Sequence, residues 1–186
     1  MLRFLLGSKS IGFLTLHETE NDGYLGSFLI TDFKGIPIEF RCTHSIKPDA
    51  VQRTLYGEAL LSHIGVELCG RPLISSAKNK PRLTLVDKPF LLKLNGHSSC
   101  PVMFVREVDE EEDSTASENF GSEYQVEVIE PRCDRFKPLE MVVKAEVKSK
   151  TKELVGKLHS EFNVVEPFER MGRAVEVLIR RSSRFK

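Results

Sequence analysis

The sequence has no tryptophan, no net charge, no CxxC pair and no apolar run near the ~20 residues that span a bilayer. Each absence removes a class of function. The balance of 27 Lys and Arg against 27 Asp and Glu leaves no global electrostatic case for nucleic acid or an anionic membrane, only local patches. Met1 to Leu6 is apolar but too soon interrupted for a secretory signal, so a cytoplasmic location is expected, with no membrane partner. The cysteines, Cys42, Cys69, Cys100 and Cys133, read as reduced thiols in such a compartment. Cys42 with His44, and His97 with Cys100, together supply the ligand types of tetrahedral zinc, but their spacing fits no zinc finger. No metal site is assigned from them.

No catalytic motif is complete either. Gly7-Ser8-Lys9-Ser10 lacks the first glycine of a phosphate loop, and no serine lies in a GxSxG elbow. None of the five histidines is tied by spacing to a nucleophile and an orienting acid.

What is present is ordinary globular material: 186 residues, 40% of them hydrophobic, enough to build a core without staples. Residues 11–45 read as a three-stranded antiparallel meander, with turn chemistry at Asn21-Asp22-Gly23 and Asp32-Phe33-Lys34-Gly35. Pro48 and Asp49 then open a helix to about residue 70, of roughly five turns, weakened at Gly57 and Gly65 and ended by Gly70-Arg71-Pro72. Arg82 to Asp87 reads as a short strand with an acid at its end, Pro89 to Leu94 as a short helix, and Pro101 to Val108 as a buried strand.

Residues 109–123 hold seven acids and no base, the composition of a solvated linker. Beyond it, Tyr124 to Ile129 and Leu139 to Val147 read as strands, followed by two amphipathic helices whose apolar stripes are packing faces. The expected organisation is an α/β domain over 1–108, an acidic linker over 109–123, and a small C-terminal β-β-α-α extension over 124–186.

The order β-β-β-α-β-α-β resembles the RNase H-like fold, with a mixed five-stranded sheet in which strands one and four are parallel neighbours. On that order Cys42 and Cys100 lie four strand spacings apart, about 19 Å, too far to share a zinc. The resemblance implies an acid from the first strand, one from the first long helix and one from the end of the fourth strand, holding two divalent ions for phosphodiester cleavage. By position, Glu58 matches the helix acid and Asp87 the strand-four acid. The first strand departs from the pattern, with no Asp within it and only His17 and Glu18 near its end. The plainer reading makes Glu58 a surface residue and Asp87 a helix cap. A second resemblance, carried by Gly23-Tyr24-Leu25-Gly26, Leu29-Ile30-Thr31-Asp32, Gly35-Ile36-Pro37-Ile38-Glu39-Phe40, Gln52, Leu55-Tyr56-Gly57 and Glu166-Pro167-Phe168-Glu169-Arg170, is to an uncharacterised bacterial family with no assigned activity.

From Pro131 onward there are 14 Lys and Arg against 8 Asp and Glu. Arg180, Arg181, Arg184 and Lys186 gather at the end, where they can meet phosphates or simply complement a helix C-terminus. With no complete catalytic constellation, the expected function is a non-catalytic binding or accessory subunit of a protein assembly, with a protein partner and nucleic acid as a second one. The alternative is an RNase H-like metal-dependent nuclease using Glu58, Asp87 and Glu18. No cofactor is expected on the first reading, and Mg²⁺ on the alternative.

Overall fold

The computed structural model describes residues 9–19, 23–108, 120–131 and 135–183. Strands β1 (Ser10–Thr19), β2 (Gly23–Asp32) and β3 (Pro37–Cys42) form the expected antiparallel meander, with Phe13 opposite Leu29 and Leu29 opposite Phe40. The second turn closes on Asp32, whose Oδ1 accepts from the backbone N–H groups of Lys34 and Ile36 at 2.9 Å each. Gly35 has a φ of 78° there, a conformation that a Cβ disfavours. Of the first turn, Asn21 and Asp22 lie outside the described residues.

Strand β4 (Thr84–Val86) runs parallel to β1, and β5 (Val102–Glu107) parallel to β4. The expected sheet does not end there. Strand β7 (Leu139–Lys144) pairs antiparallel with β5, and β6 (Tyr124–Ile129) with β7, giving seven strands in the order β3-β2-β1-β4-β5-β7-β6. The five-stranded expectation is corrected for a physical reason. β5 is an apolar strand, and as an edge it would leave a row of backbone donors and acceptors unpaired beside a buried side-chain surface.

Between β3 and β4 the expected single helix is four pieces: α1 (Ala50–Tyr56), α2 (Ala59–Ser62), a π-helical stretch His63–Gly70, and α3 (Arg71–Ser76). Gly57, with φ 49°, separates the first two. Asp49 and Gln52 form a capping box at the start of α1, which buries none of its residues. Gly70-Arg71-Pro72 does not end the run, because Pro72 falls in the first turn of α3, where a missing N–H is tolerated. The wider π-helical turns press close on the sheet: a Cβ added to Gly26 of β2 would lie 2.5 Å from the Cβ of Cys69.

A 3-10 helix, Pro89–Gly96, links β4 to β5, and α4 (Lys148–Glu161) and α5 (Glu166–Ser183) follow β7. Side-chain alternation along β1 divides the core between two helical layers. Ile11 and Phe13, with Leu85 and Met103, meet Val155 and Leu158 of α4 and Phe168 and Met171 of α5. Leu14, with Phe28, Val86 and Phe104, meets Val66, Leu73, Leu91 and Leu94 on the other face. Phe13, fully buried, stands edge-on to Phe168 with ring centroids 5.7 Å apart. Truncating it to Ala would cost roughly 3–5 kcal/mol.

The acidic segment 109–119, read as linker, lies outside the described residues. Phe120, just past it, stacks on Phe104 at a centroid distance of 6.4 Å. No helix among the described residues is long and apolar enough to cross a membrane.

Candidate functional site

The parallel register of β1 and β4 sets Leu14 beside Val86, which brings Thr15 beside Asp87, the next residue in each strand direction. Thr15 is buried and its hydroxyl hydrogen-bonds the Asp87 carboxylate. The other side of that carboxylate is bare: Asp87 Oδ1 is buried without a hydrogen-bond partner. Burial pushes the Asp87 carboxyl above the usual Asp range, against the opposing pull of the Thr15 hydrogen bond and the Lys88 charge. Asp87 caps no helix, since the residue preceding the 3-10 helix is Lys88 and no side chain caps it.

Two residues beyond Thr15, His17 points to the same face, and its Nε2 lies 2.7 Å from Oγ of the fully buried Ser27 on β2. Burial, reinforced by Lys88, holds the His17 imidazole below its ordinary value. Helix α5 covers this corner, with Gly172 against the ring: a Cβ there would meet His17 Cε1 at 4.0 Å. The result is a row of four polar side chains on three adjacent strands, Asp87, Thr15, Ser27 and His17, under a helix.

The other residues singled out from sequence stand elsewhere. Glu18 follows His17 along an extended strand, so its side chain turns to the opposite face, where it is exposed. Glu58 is exposed just before α2. On the other face of the sheet Leu16 of β1 packs with Leu60 and Ile64 of the helical run, and a Cβ added to Gly65 would lie 2.6 Å from the Phe90 ring and 3.5 Å from Leu16. A longer side chain has no room there. Among the described residues, no group of three or more His, Cys, Asp or Glu is placed to hold a metal ion. The structure therefore brings Asp87 together with Thr15, and not with Glu58 or Glu18.

Arg180 and Arg181 are exposed at the end of α5, Arg180 lying 3.7 Å from Glu176, while Arg184 and Lys186 lie outside the described residues. Cys42 on β3 is exposed and Cys100, just before β5, is buried and bonded to Thr84 and Ser98. Sequence reasoning gave Thr15 and Ser27 no role and named His17 only as lying near the end of the first strand. The one available signal was polar residues inside two otherwise apolar strand runs, and only the register shows that they meet.

Comparison with protein-family models finds no match, and comparison with curated proteins finds none. Among solved structures the chain is similar to human endonuclease V, with a TM-score of 0.64 and 14% identity over 96% of this chain and 87% of that one. The catalytic domain of human endonuclease V, in a variant with four cysteines replaced, gives 0.55 and 14% over 95% and 85%. A variant of endonuclease V from Ciona intestinalis, in complex with a 23mer DNA containing an inosine followed by a ribo-adenosine, gives 0.54 and 10% over 93% and 86%. At these identities the likeness is one of fold, and it bears out the RNase H-like expectation with its sheet enlarged to seven strands. It also corrects the functional expectation: the fold is shared along nearly its whole length with proteins named as nucleases, so the accessory-subunit reading gives way to its alternative.

Proposed function

We propose that this chain acts on nucleic acid as a nuclease, with Asp87 the carboxyl on which strand cleavage depends. The observation that carries this reading is the place of Asp87, at the C-terminal end of β4 and against β1, in a fold that matches human endonuclease V over 96% of the chain. Asp87 is suited to proton transfer, because burial raises its carboxyl toward the pH range in which a general acid or base works. It accepts the proton of an attacking water as the new phosphorus–oxygen bond forms, and a proton reaches the leaving oxygen as the old bond breaks. The adjacent Lys88, exposed, offers a cation to the strand's phosphates.

The residues present do not fit the pair of divalent ions that the fold implies. Thr15 stands where a first-strand acid would face Asp87, and Glu58, the helix acid of the resemblance, is exposed just before α2. Mg²⁺ is accordingly not assigned to the described residues.

The test is cleavage of end-labelled single- and double-stranded DNA and RNA, with and without inosine, by the purified chain in Mg²⁺, in Mn²⁺ and in EDTA. Cleavage by wild type, reduced at least a hundredfold in a folded Asp87→Asn variant, is the expected result, on the order of the contribution of a general acid or base. Absence of cleavage on every substrate, or cleavage indifferent to Asp87→Asn, overturns the reading.

A further inference from the structure

At the other end of β4 a cleft of about 350 Å³ opens between α4 and the start of the strand, and its charges do not balance internally. Arg82, two residues ahead of β4, lines it, and the Nε of its guanidinium is buried with no hydrogen-bond partner. Its backbone is fixed, the N–H donating to Ser10 carbonyl at 2.8 Å, so the side chain leaves the sheet edge from a set point. Lys150, on the first turn of α4, lines the same cleft, is exposed, and makes no ion pair among the described residues. Lys157 is already matched by Glu153 at 2.6 Å, which leaves Glu161 as the one acid of the lining outside a pair. Phe33, Leu154 and Leu158 form the apolar wall.

A buried guanidinium nitrogen without an acceptor is costly, and Arg cannot relieve the cost by losing its proton. Two carboxylates line the cleft and neither reaches it. This lining suits an anion with several acceptor oxygens in a plane or tetrahedron, which a guanidinium binds at two points while an ammonium adds a second charge. The volume exceeds that of the anion alone and leaves room for an organic group against Phe33 and Leu154.

We propose that the cleft bounded by Arg82, Lys150 and Phe33 is a phosphate-binding site, separate from the Asp87 end of the sheet. Its ligand is a phosphate group, free or carried on a nucleic-acid strand. The inference does not rest on the nuclease reading, since it concerns other residues and is read by binding.

The test follows the full-length chain by NMR and thermal unfolding during titration with inorganic phosphate, then with a short oligonucleotide bearing either a 5′-phosphate or a 5′-hydroxyl. Saturable binding of inorganic phosphate, with shifts at Phe33 and α4, is expected for wild type. Arg82→Met and Lys150→Met should each weaken it by about tenfold or more, the scale of a lost charge-assisted hydrogen bond. Glu161→Gln, which removes a repelling charge, should tighten it. Tighter binding of the 5′-phosphorylated strand names a strand end as the source, and equal binding of the two strands at the same residues names backbone phosphate. Binding of inorganic phosphate alone names a free one. A second readout guards against a purely structural role: without phosphate, Arg82→Met should melt at or above the wild-type temperature, because an unpartnered cation is gone. Unsaturable shifts in wild type, phosphate affinity unchanged in Arg82→Met, or a lower melting temperature for phosphate-free Arg82→Met would each overturn the proposal.

Discussion

The two ends of β4 present the same physical problem with opposite sign, and the chain handles them differently. Arg82 and Asp87 lie five residues apart, roughly 16 Å along an extended strand, and each has a buried polar atom with no hydrogen-bond partner. At the Asp87 end the bonding neighbours are neutral hydroxyls, Thr15 on the carboxylate and Ser27 on His17, with the Lys88 charge nearby and Gly172 of α5 beside the His17 ring. An acid in such a place has an internal remedy, because it can take a proton and become neutral, which is the direction in which burial drives Asp87. At the Arg82 end the group cannot change its charge, and the surroundings open into a cleft instead of closing. Orphaned charge at a titratable group thus points to proton chemistry, and at a permanently charged group to a counter-ion.

The harshest way to break this comparison is to put a second charge at the acid end. Thr15 is 3% exposed and already hydrogen-bonded to Asp87, so Thr15→Asp sets two carboxylates together in a place with little water. A loss of roughly 3 kcal/mol in unfolding free energy at neutral pH is expected. The loss should shrink as the pH falls and the pair shares a proton. Urea unfolding of wild type and variant at neutral and mildly acid pH measures both effects. Equal stability at neutral pH would mean that the second charge is screened, and that Thr15 and Asp87 do not share the desolvated contact described above.

Much of this architecture could be read from residues alone, and the exceptions have physical causes. Alternation and the Asp32–Gly35 turn marked the meander, and an apolar run ending in Asp87 marked β4, because local chemistry decides such features. The partner of β5 was invisible: Val102 to Val105 are buried, and a continuous apolar run reads the same in a central strand as in an edge strand under a helix. Leu139 to Val147 read as a strand without a partner, and Glu140 within it is fully buried and bonded to Arg106 across the β5–β7 pair. The π-helical stretch was hidden for a different reason. Its Gly65 read as a weak point of an α-helix and its Gly70 as part of the stop, whereas they permit close packing against Phe90 and Leu94. At the site, Asp87 was legible as an acid ending a strand. Thr15 was not, since the search was for acids and this position is defined by register.

A subtler intervention removes the charge and keeps the shape. Asp87→Asn leaves an oxygen to accept from Thr15 but no carboxylate to desolvate. The folded state holds the Asp87 proton more tightly than the unfolded chain, whose carboxyl has its ordinary value of 3.8. Wild-type stability therefore falls as the pH rises from that value through the raised folded one, and the cost is fully present above the folded value. The Asn variant escapes it. A gain in stability at neutral pH is expected, vanishing as the pH is lowered below the unfolded value. A variant less stable than wild type at neutral pH would show that the carboxylate is ionised and partnered in solution.

The smallest expected effect lies at His17 and asks how dry the acid end is. Burial is the first cause holding this imidazole below 6.5, so in the folded protein it stays neutral to lower pH than in the unfolded chain. The unfolded chain then binds a proton first. The stability that the neutral ring contributes is fully present above 6.5 and is lost as the pH falls through that value toward the folded one. His17→Gln should flatten the pH dependence of unfolding in this window. Ser27→Ala should lower stability by about 0.5–1 kcal/mol through the lost hydrogen bond, yet leave the slope nearly unchanged, because it removes a partner and not the burial. An NMR titration of the ring supplies the direct check. If His17 takes its proton at or above 6.5, the corner under α5 is wet, and the contrast drawn between the closed end of β4 and its open end fails.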